Sequence, residues 1–184
     1  MSSTTSTNNV TLPFELLLNE ERIQNRVKEL GHEIARDYRG RSPVFIGVLK
    51  GCVVFLSDLI RNINIPLEIE FISAASYRRG TVQSKEVVLG GASKTELKGR
   101  NVLIVEAIID SGRTINSILD HIRTLEPASI EVVTLLDKPG SHRQKVDIRY
   151  KGFSIGNEFV IGYGLDNTQK YRNLPNIGKV VDEK

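Results

Sequence analysis

The feature that most constrains the fold is a continuous apolar run at residues 101–105 (NVLIV), followed at once by a polar turn and an amphipathic helix. Apolar runs of this length are typical of strands that helices cover on both faces. Residues 114–125 then place four aliphatic side chains on one helical face: Ile115, Ile118, Leu119 and Ile122. The sequence therefore predicts a strand–turn–helix unit in which residues 106–114 form the turn.

The same alternation of apolar runs and helical periodicity extends along the chain. We predict an amphipathic helix over residues 20–38 and a second helix over residues 52–60. Further short strands are predicted over residues 43–49, 67–72, 130–136 and 159–162. Alternating strands and helices indicate an α/β fold with a mostly parallel, twisted sheet flanked by helices. Because ligands of such sheets bind at the carboxyl ends of the strands, the segments that follow the strands are the candidate site.

Length and composition limit the class of protein. The 184 residues are enough for one domain with a full core, and we predict a disordered tail over residues 1–11 and a single domain over residues 12–184. Because Cys52 is the only cysteine, no disulfide can form within the chain, and we expect a reducing, cytoplasmic setting. No apolar stretch approaches the ~18 residues of a membrane span. The net charge of +3 fits anionic small molecules and does not require nucleic acid.

The turn at residues 106–114 (EAIIDSGRT) carries the chemistry expected of an anion site. Ser111 and Thr114 supply hydroxyl groups at the start of a helix, and Gly112 permits close approach of the backbone to a ligand. The free N–H groups and the dipole of the helix favour an anion, and Arg113 adds positive charge. An ordinary turn, with Ser111 or Thr114 as the helix N-cap, is the alternative.

The acids of this turn extend the possible chemistry from phosphate to sugar. Glu106 and Asp110 can accept hydrogen bonds from sugar hydroxyls, hold Mg²⁺ or exchange a proton. The phosphate-binding pattern G-x-x-x-x-G-K-[ST] is absent from the chain, so a Walker A loop is excluded.

The run VLIVEAIIDSGRT resembles the ribose-phosphate signature of type I phosphoribosyltransferases, and other segments narrow the resemblance to the hypoxanthine-guanine phosphoribosyltransferase family. Residues 49–51 (LKG) look like that family's pyrophosphate loop, and Ser76 and Tyr77 look like the start of its mobile lid, which continues to residue 86. The resemblance covers residues 12–178 in the family's order. It implies the type I phosphoribosyltransferase fold, with a small hood formed by the N- and C-terminal segments.

The resemblance also implies a role for each matching residue. The 5′-phosphate and ribose would be held by Glu106, Ala107, Ser111, Gly112, Arg113 and Thr114. Pyrophosphate would be bound by Lys50, Gly51 and Arg172, and the purine by Lys138, Phe159 and Val160. Asp110 would be the general base, and Asp166 and Glu106 would hold Mg²⁺. Taken singly, these residues have ordinary alternatives: Lys138 in a solvated turn, Phe159 in the core, Asp166 as a turn acid.

The implied reaction joins hypoxanthine or guanine to 5-phosphoribosyl-1-diphosphate and releases pyrophosphate. We expect a homodimer or homotetramer that binds small-molecule substrates, without nucleic acid or membrane. The alternative from another functional class is an RNA-binding regulator on the same fold, like the pyrimidine attenuation regulators. Lys138 and the pair Phe159-Val160 favour the purine enzyme.

One position departs from the family pattern, because Ala107 stands where the family has an aspartate beside Glu106. A hydrogen bond to a charged group contributes about 1.5–3 kcal/mol, so its loss predicts weaker ribose or metal binding. An engineered change, a natural enzyme in which Glu106 suffices and a catalytically impaired relative are the three explanations. Agreement at the neighbouring positions favours the first.

Overall fold

The computed structural model of the chain describes residues 14–76, 87–90 and 96–181. The strands are β1 (Phe14–Leu18), β2 (Val44–Leu49), β3 (Glu68–Ser76), β4 (Val87–Gly90), β5 (Asn101–Ile109), β6 (Ser129–Asp137), β7 (Tyr150–Ser154), β8 (Val160–Ile161) and β9 (Ile177–Val180). The helices are α1 (Glu20–Asp37), α2 (Val53–Arg61), α3 (Arg113–Arg123) and a short 3₁₀ helix, Pro139–Ser141.

The predicted mostly parallel sheet is confirmed. Its strand order is β4-β3-β2-β5-β6-β7, in which β3, β2, β5, β6 and β7 are parallel and β4 pairs antiparallel with β3 at one edge. A separate antiparallel sheet has the order β1-β9-β8 and is built from the N- and C-terminal parts of the described chain. The strand predicted over residues 159–162 is β8 and belongs to this second sheet.

Helix α1 illustrates how the sequence encodes its elements. The Asn19 side chain accepts a hydrogen bond from the Arg22 N–H at 3.0 Å and so caps the helix. Glu20 and Glu21 in the first turn complement the helix dipole. The predicted apolar face is fully buried: Ile23, Val27, Leu30 and Ile34.

The core has two parts, one on each face of the main sheet. Helices α1 and α2 pack on one face, against alternate strand residues such as Phe45, Leu103 and Val105. Helix α3 packs on the other face, where it meets Ile46 and Ile104 among others. The central strands β2, β5 and β6 therefore bury both odd and even residues, which is why they read as continuous apolar runs.

The boundaries differ from the predictions where polar residues continue a strand. Strand β5 runs to Ile109, so residues 106–109 are strand and the turn is confined to residues 110–112. Strand β3 continues four residues beyond the predicted end at residue 72. Strand β7 (YKGFS) was not predicted, because a short edge strand with mixed polarity lacks an apolar run.

A buried polar contact ties the C-terminal segment to the helical layer. Asp58 on α2 accepts hydrogen bonds from the Tyr163 hydroxyl at 2.6 Å and from Gln24 Nε2 on α1 at 2.8 Å, and it also pairs with Arg61. Burial alone would raise the pKa of Asp58, but the hydrogen bonds outweigh burial and hold that pKa below its usual range. Within the described ranges, no helix combines the length and the apolar character that crossing a bilayer requires.

We predict that Tyr163→Phe lowers the free energy of unfolding by about 1–2 kcal/mol, because the charged Asp58 carboxylate then loses the hydrogen bond that the Tyr163 hydroxyl donates to it. Urea denaturation measures the change. Tyr171→Phe is the matched control, since the Tyr171 hydroxyl has no hydrogen-bond partner in the described part of the chain, and should alter stability by under ~0.5 kcal/mol. Equal effects of the two substitutions would contradict the assigned contact.

Candidate active site

The turn between β5 and α3 is shaped by Gly112. This residue is the N-cap of α3 and has φ = 78°, a left-handed conformation. A Cβ at this position would lie 2.7 Å from Val146 Cγ2 and 2.8 Å from the Gln144 carbonyl oxygen, so only glycine fits. No side chain caps the helix, so the alternative in which Ser111 or Thr114 is the N-cap is wrong. The first N–H groups of α3 thus have no side-chain acceptor and point toward the turn, as an anion site requires.

A cavity of about 500 Å³ opens at the carboxyl ends of β2 and β5. It is lined by four of the predicted sugar-phosphate residues, the predicted general base, two residues of the pyrophosphate loop and the second predicted metal ligand: Glu106, Ser111, Gly112, Thr114, Asp110, Leu49, Gly51 and Asp166. An adjoining cavity of about 750 Å³ shares Asp110 and Ser111 and is lined further by Arg113 and residues 140–143. The structure therefore brings segments that are far apart in sequence to one place.

Glu106 is the acid at the floor of the first cavity. Burial raises the pKa of Glu106 to about 8, although the N–H groups of Ala107 and Ile108 act in the opposite direction. Its Oε1 accepts the Ala107 N–H at 3.0 Å, and no ion pair with it is present in the described residues. A carboxylate in this position will ionise readily only when a cation or a hydrogen-bond donor joins it.

Ala107 lies behind the cavity wall. Its side chain is 1% exposed and belongs to the core on the α1–α2 face. A Cβ built on Gly51 would lie 3.5 Å from the Ala107 Cβ, so residue 107 packs beneath the predicted pyrophosphate loop.

Lys138 and Asp110 form an ion pair across the edge of the sheet. Lys138 Nζ lies 3.3 Å from Asp110 Oδ2, and the Lys138 side chain is only 7% exposed. The Lys138 N–H donates to the Ile109 carbonyl oxygen at 2.9 Å, which holds the end of β6 against the end of β5. Lys138 is therefore a buried cation beside a carboxylate, and the alternative of a solvated turn residue is wrong.

Asp166 and Arg172 are also brought together. Arg172 Nη2 lies 2.6 Å from Asp166 Oδ1, and Asp166 Oδ2 accepts the Gln169 N–H at 2.9 Å. Arg172 Nη1 donates to the Gly164 carbonyl oxygen at 2.7 Å. Lys50 Nζ lies 3.4 Å from Gln169 Oε1, so the predicted pyrophosphate cations share one neighbourhood.

The predicted purine residues near β8 have contrasting environments. Phe159 is 56% exposed, so the alternative of a core residue is wrong, whereas Val160 is buried. Ser76 ends β3, and Tyr77 with the remainder of the predicted lid to residue 86 lies outside the described residues.

Asp137, which directly precedes Lys138, was not predicted as part of the site. It ends β6, is 1% exposed and contacts His142 and Lys151. The signal in the sequence was an acid directly after the apolar run of β6, at a position where burial of a charge demands partners. The partners are distant enough in sequence that the pattern alone could not supply them.

The chain matches the model of the phosphoribosyl transferase domain family over residues 15–168. It is 44% identical to the hypoxanthine-guanine phosphoribosyltransferase of Bacillus subtilis (strain 168) over 164 residues, which are 89% of this chain and 91% of that protein. It is 43% identical over 169 residues to the bifunctional protein TilS/HprT of Listeria monocytogenes, covering 92% of this chain. The chain spans only 26% of the length of that Listeria relative.

Solved structures give the same result. A crystal structure of a hypoxanthine phosphoribosyltransferase from Staphylococcus aureus superposes with a TM-score of 0.87 at 42% identity, covering 92% of each chain. A hypoxanthine-guanine phosphoribosyltransferase from Bacillus anthracis, with a HEPES molecule in its active site, has a TM-score of 0.86 at 44% identity and covers 91% of this chain and 98% of that chain.

The raised pKa of Glu106 predicts a pH-dependent stability. The pKa of the Glu106 carboxyl is 4.5 in the unfolded chain and about 8 in the folded protein. Its contribution to the free energy of unfolding is therefore fully present below pH 4.5 and is lost as the pH rises to 8. Between pH 5 and pH 8.5, the free energy of unfolding of Glu106→Gln should therefore fall by about 2 kcal/mol less than that of the parent protein. This figure allows for the openness of the cavity to water.

Denaturation at a series of pH values measures this difference. Glu96→Gln is the matched control, because Glu96 is exposed and its carboxylate makes no ion pair or hydrogen bond within the described residues. If Glu106→Gln and Glu96→Gln follow the same pH dependence as the parent, the burial of Glu106 does not control its ionisation.

Proposed function

Because the chain belongs to the phosphoribosyl transferase family, we propose that it transfers the 5-phosphoribosyl group of 5-phosphoribosyl-1-diphosphate to hypoxanthine or guanine. The products are IMP or GMP and pyrophosphate, as in purine salvage. The single observation that carries the choice of base is the pairing of buried Lys138 with exposed Asp110 beside the turn at residues 110–112. The named activities of the Bacillus and Staphylococcus relatives support the same reaction.

The 5′-phosphate binds at the start of α3. The N–H groups of residues 111–114 and the hydroxyls of Ser111 and Thr114 donate to its oxygens, and Arg113 balances its charge. Gly112 keeps the turn open, because any Cβ there would collide with residues 144 and 146. Glu106 accepts hydrogen bonds from the ribose hydroxyls at the floor of the cavity.

The purine lies between Phe159 and the Lys138–Asp110 pair. Phe159 offers an exposed ring face on which the base stacks, and Val160 supplies the adjoining backbone. Lys138 Nζ donates to the 6-oxo oxygen, whereas the 6-amino group of adenine presents a donor to the same ammonium. Adenine therefore sets two donors against each other and lacks the acceptor that a 6-oxopurine offers to Lys138 beside Asp110, which disfavours adenine. Asp110 accepts the proton from N7 of the base as the bond to ribose forms.

The leaving pyrophosphate binds at the cations of the C-terminal segment. Lys50, the Gly51 N–H and Arg172 neutralise its charge, which matters because the anomeric carbon passes through an oxocarbenium-like state. Arg172 is already held by Asp166 and the Gly164 carbonyl oxygen, so its guanidinium needs little reorganisation.

The donor set fits Mg²⁺. Glu106, Asp110 and Asp166 present carboxylates to the same cavity, although no group of three or more metal-ligating side chains is close enough to form a complete site among the described residues. Mg²⁺ commonly uses one or two carboxylates and completes its shell with water and substrate phosphates. Asp166 and Glu106 would hold the ion, and when bound it stabilises charge on the leaving group.

By resemblance, the segment that begins at Ser76 and Tyr77 would act as a lid over the site. It would exclude water, which would otherwise hydrolyse the cation-like ribose. The protein would act in the cytoplasm as a homodimer or homotetramer on small-molecule substrates.

The direct test is IMP or GMP formation with Mg²⁺ and 5-phosphoribosyl-1-diphosphate. We expect turnover with hypoxanthine and guanine, and kcat/KM for adenine lower by at least ~100-fold. Lys138→Met should lower kcat/KM for hypoxanthine by about 10- to 100-fold, whereas Lys145→Met, at an exposed lysine nearby in sequence, should change it by less than about twofold. No transfer to either base, together with retention of RNA on filters, would contradict the proposal in favour of an RNA-binding regulator.

A second prediction concerns position 107. Ala107→Asp should raise kcat/KM for 5-phosphoribosyl-1-diphosphate by about tenfold, because it restores a charged acceptor beneath Gly51 and beside Glu106. Ala107→Asn is the matched control of equal size without the charge and should recover less. Steady-state kinetics at several Mg²⁺ concentrations measure both. Unchanged kcat/KM in Ala107→Asp would show that the missing acid is without consequence.

A further inference from the structure

Asp137 has no part in the proposed chemistry, yet it is among the most deeply buried charges of the described residues. It is 1% exposed, and Lys138 beside it is 5% exposed. A buried carboxylate is destabilising unless it is paired and hydrogen-bonded, so its environment must have been built around it. Its position at the end of β6 places it immediately before the lysine proposed to recognise the base.

Two basic side chains from different segments meet Asp137. Lys151 on β7 donates from Nζ to Asp137 Oδ2 at 2.9 Å. His142 follows the short 3₁₀ helix and places Nε2 2.8 Å from Asp137 Oδ1. Both of these latter atoms are buried, and neither has a hydrogen-bond partner within the described residues, so their 2.8 Å approach is the close polar contact between them. A proton on His142 Nε2 would lie toward Asp137 Oδ1, and the carboxylate brings the segment after β6 and the edge strand together.

The segment that His142 anchors holds two parts of the candidate site. The Ser141 N–H donates to the Lys138 carbonyl oxygen at 2.9 Å, which closes the turn after Lys138. The Arg143 N–H donates to the Ser111 carbonyl oxygen at 3.0 Å, which joins the same segment to the phosphate turn. His142 lies between these two contacts, so its attachment to Asp137 fixes the path of the chain from the base-recognising lysine to the phosphate turn.

The backbone of Asp137 reaches a third part of the site. Its carbonyl oxygen accepts the Ile155 N–H at 2.9 Å, at the start of the connection that leads to Phe159. The Ser141 hydroxyl donates to Asn157 Oδ1 at 2.7 Å and ties the same connection to the 3₁₀ helix. The surroundings of Asp137 thus reach Lys138, the phosphate turn and the segment carrying the stacking ring.

We propose that Asp137, held by His142 and Lys151, is a positioning residue that sets the orientation of Lys138 toward the 6-oxo group of the purine. This inference rests on the proposed phosphoribosyl transfer to 6-oxopurines. Asp137 does not touch the substrate; it acts through the 139–143 segment. Loosening that segment allows Lys138 Nζ to depart from the narrow geometry that a buried donor requires, so binding of the base weakens first.

The test compares steady-state parameters of Asp137→Asn, His142→Ala and His142→Gln with those of the unchanged protein. Asp137→Asn and His142→Ala should raise KM for hypoxanthine by about three- to tenfold, with KM for 5-phosphoribosyl-1-diphosphate within about twofold. His142→Gln should restore the KM for hypoxanthine to within about twofold of the unchanged protein, because a glutamine amide can donate to Asp137 as the imidazole does. A purely structural ion pair would lower the melting temperature without this selective change in KM.

His121→Ala is the control, because His121 is an exposed histidine on α3 whose side chain contacts no partner among residues 14–76, 87–90 and 96–181, and its parameters should stay unchanged. If Asp137→Asn does not fold, the pair His142→Ala and His142→Gln decides, since it leaves the Asp137–Lys151 contact in place. The inference is overturned if the unchanged protein is active but His142→Ala leaves the KM for hypoxanthine unchanged. It is also overturned if His142→Ala raises the KM for hypoxanthine and the KM for 5-phosphoribosyl-1-diphosphate equally. Absence of transfer to hypoxanthine and guanine in the unchanged protein would instead reject the proposed function.

Discussion

The parallel pairing of β5 between β2 and β6 is the constraint on which the rest of the structure depends. Val102 is in register with Val44 on one side and with Ile130 on the other, so the three strands run together toward the same edge. Each is followed there by a site segment: residues 50–51 after β2, residues 110–112 after β5 and Lys138 after β6. Because both faces of the sheet are buried under helices, the register cannot slip without exposing core side chains.

Most acids at this edge of the sheet lie beside a basic side chain, and Glu106 does not. Asp110 has Lys138, Asp166 has Arg172, and Asp137 has His142 and Lys151. Glu106 alone among these acids has only backbone N–H groups, and burial raises its pKa to about 8. A partly buried acid without a cation suits the proposed site, in which the substrate would bring Mg²⁺ and hydroxyl groups with it. Ala107, the next residue, is uncharged and packs beneath Gly51.

Much of the framework could be predicted because hydrophobic periodicity reports burial directly. The helices α1 and α3 and the strands β2, β5 and β6 all appear as periodic or continuous apolar segments. The turn after β5 was predicted too long, since Glu106 and Ile108 continue a strand whose ladder extends past its apolar run to pair with β6. The edge strand β7 and the strand β9 were missed, because short strands are set by tertiary pairing more than by their own composition.

The candidate site likewise contains residues that the sequence could predict and contacts that it could not. Residues whose chemistry lies in a local motif, such as Gly112, were identified, and the structure adds the reason that glycine is required there. Contacts made across the fold were not accessible, because they join segments that the sequence does not relate. The pairing of Asp110 with Lys138 and the burial of Asp137 between His142 and Lys151 are of this kind. The packing of Ala107 under Gly51 is another, and it changes where an acid at that position would act.

We propose that one edge of the sheet holds a nucleoside monophosphate between the start of α3 and Lys138. A crystal structure of the chain with IMP and Mg²⁺ tests this binding mode most directly. We expect the 5′-phosphate within hydrogen-bond distance of the N–H groups of residues 111–114, and the 6-oxo oxygen within hydrogen-bond distance of Lys138 Nζ, at about 2.7–3.2 Å. A phosphate bound elsewhere, or a base oxygen that Lys138 does not reach, would contradict it.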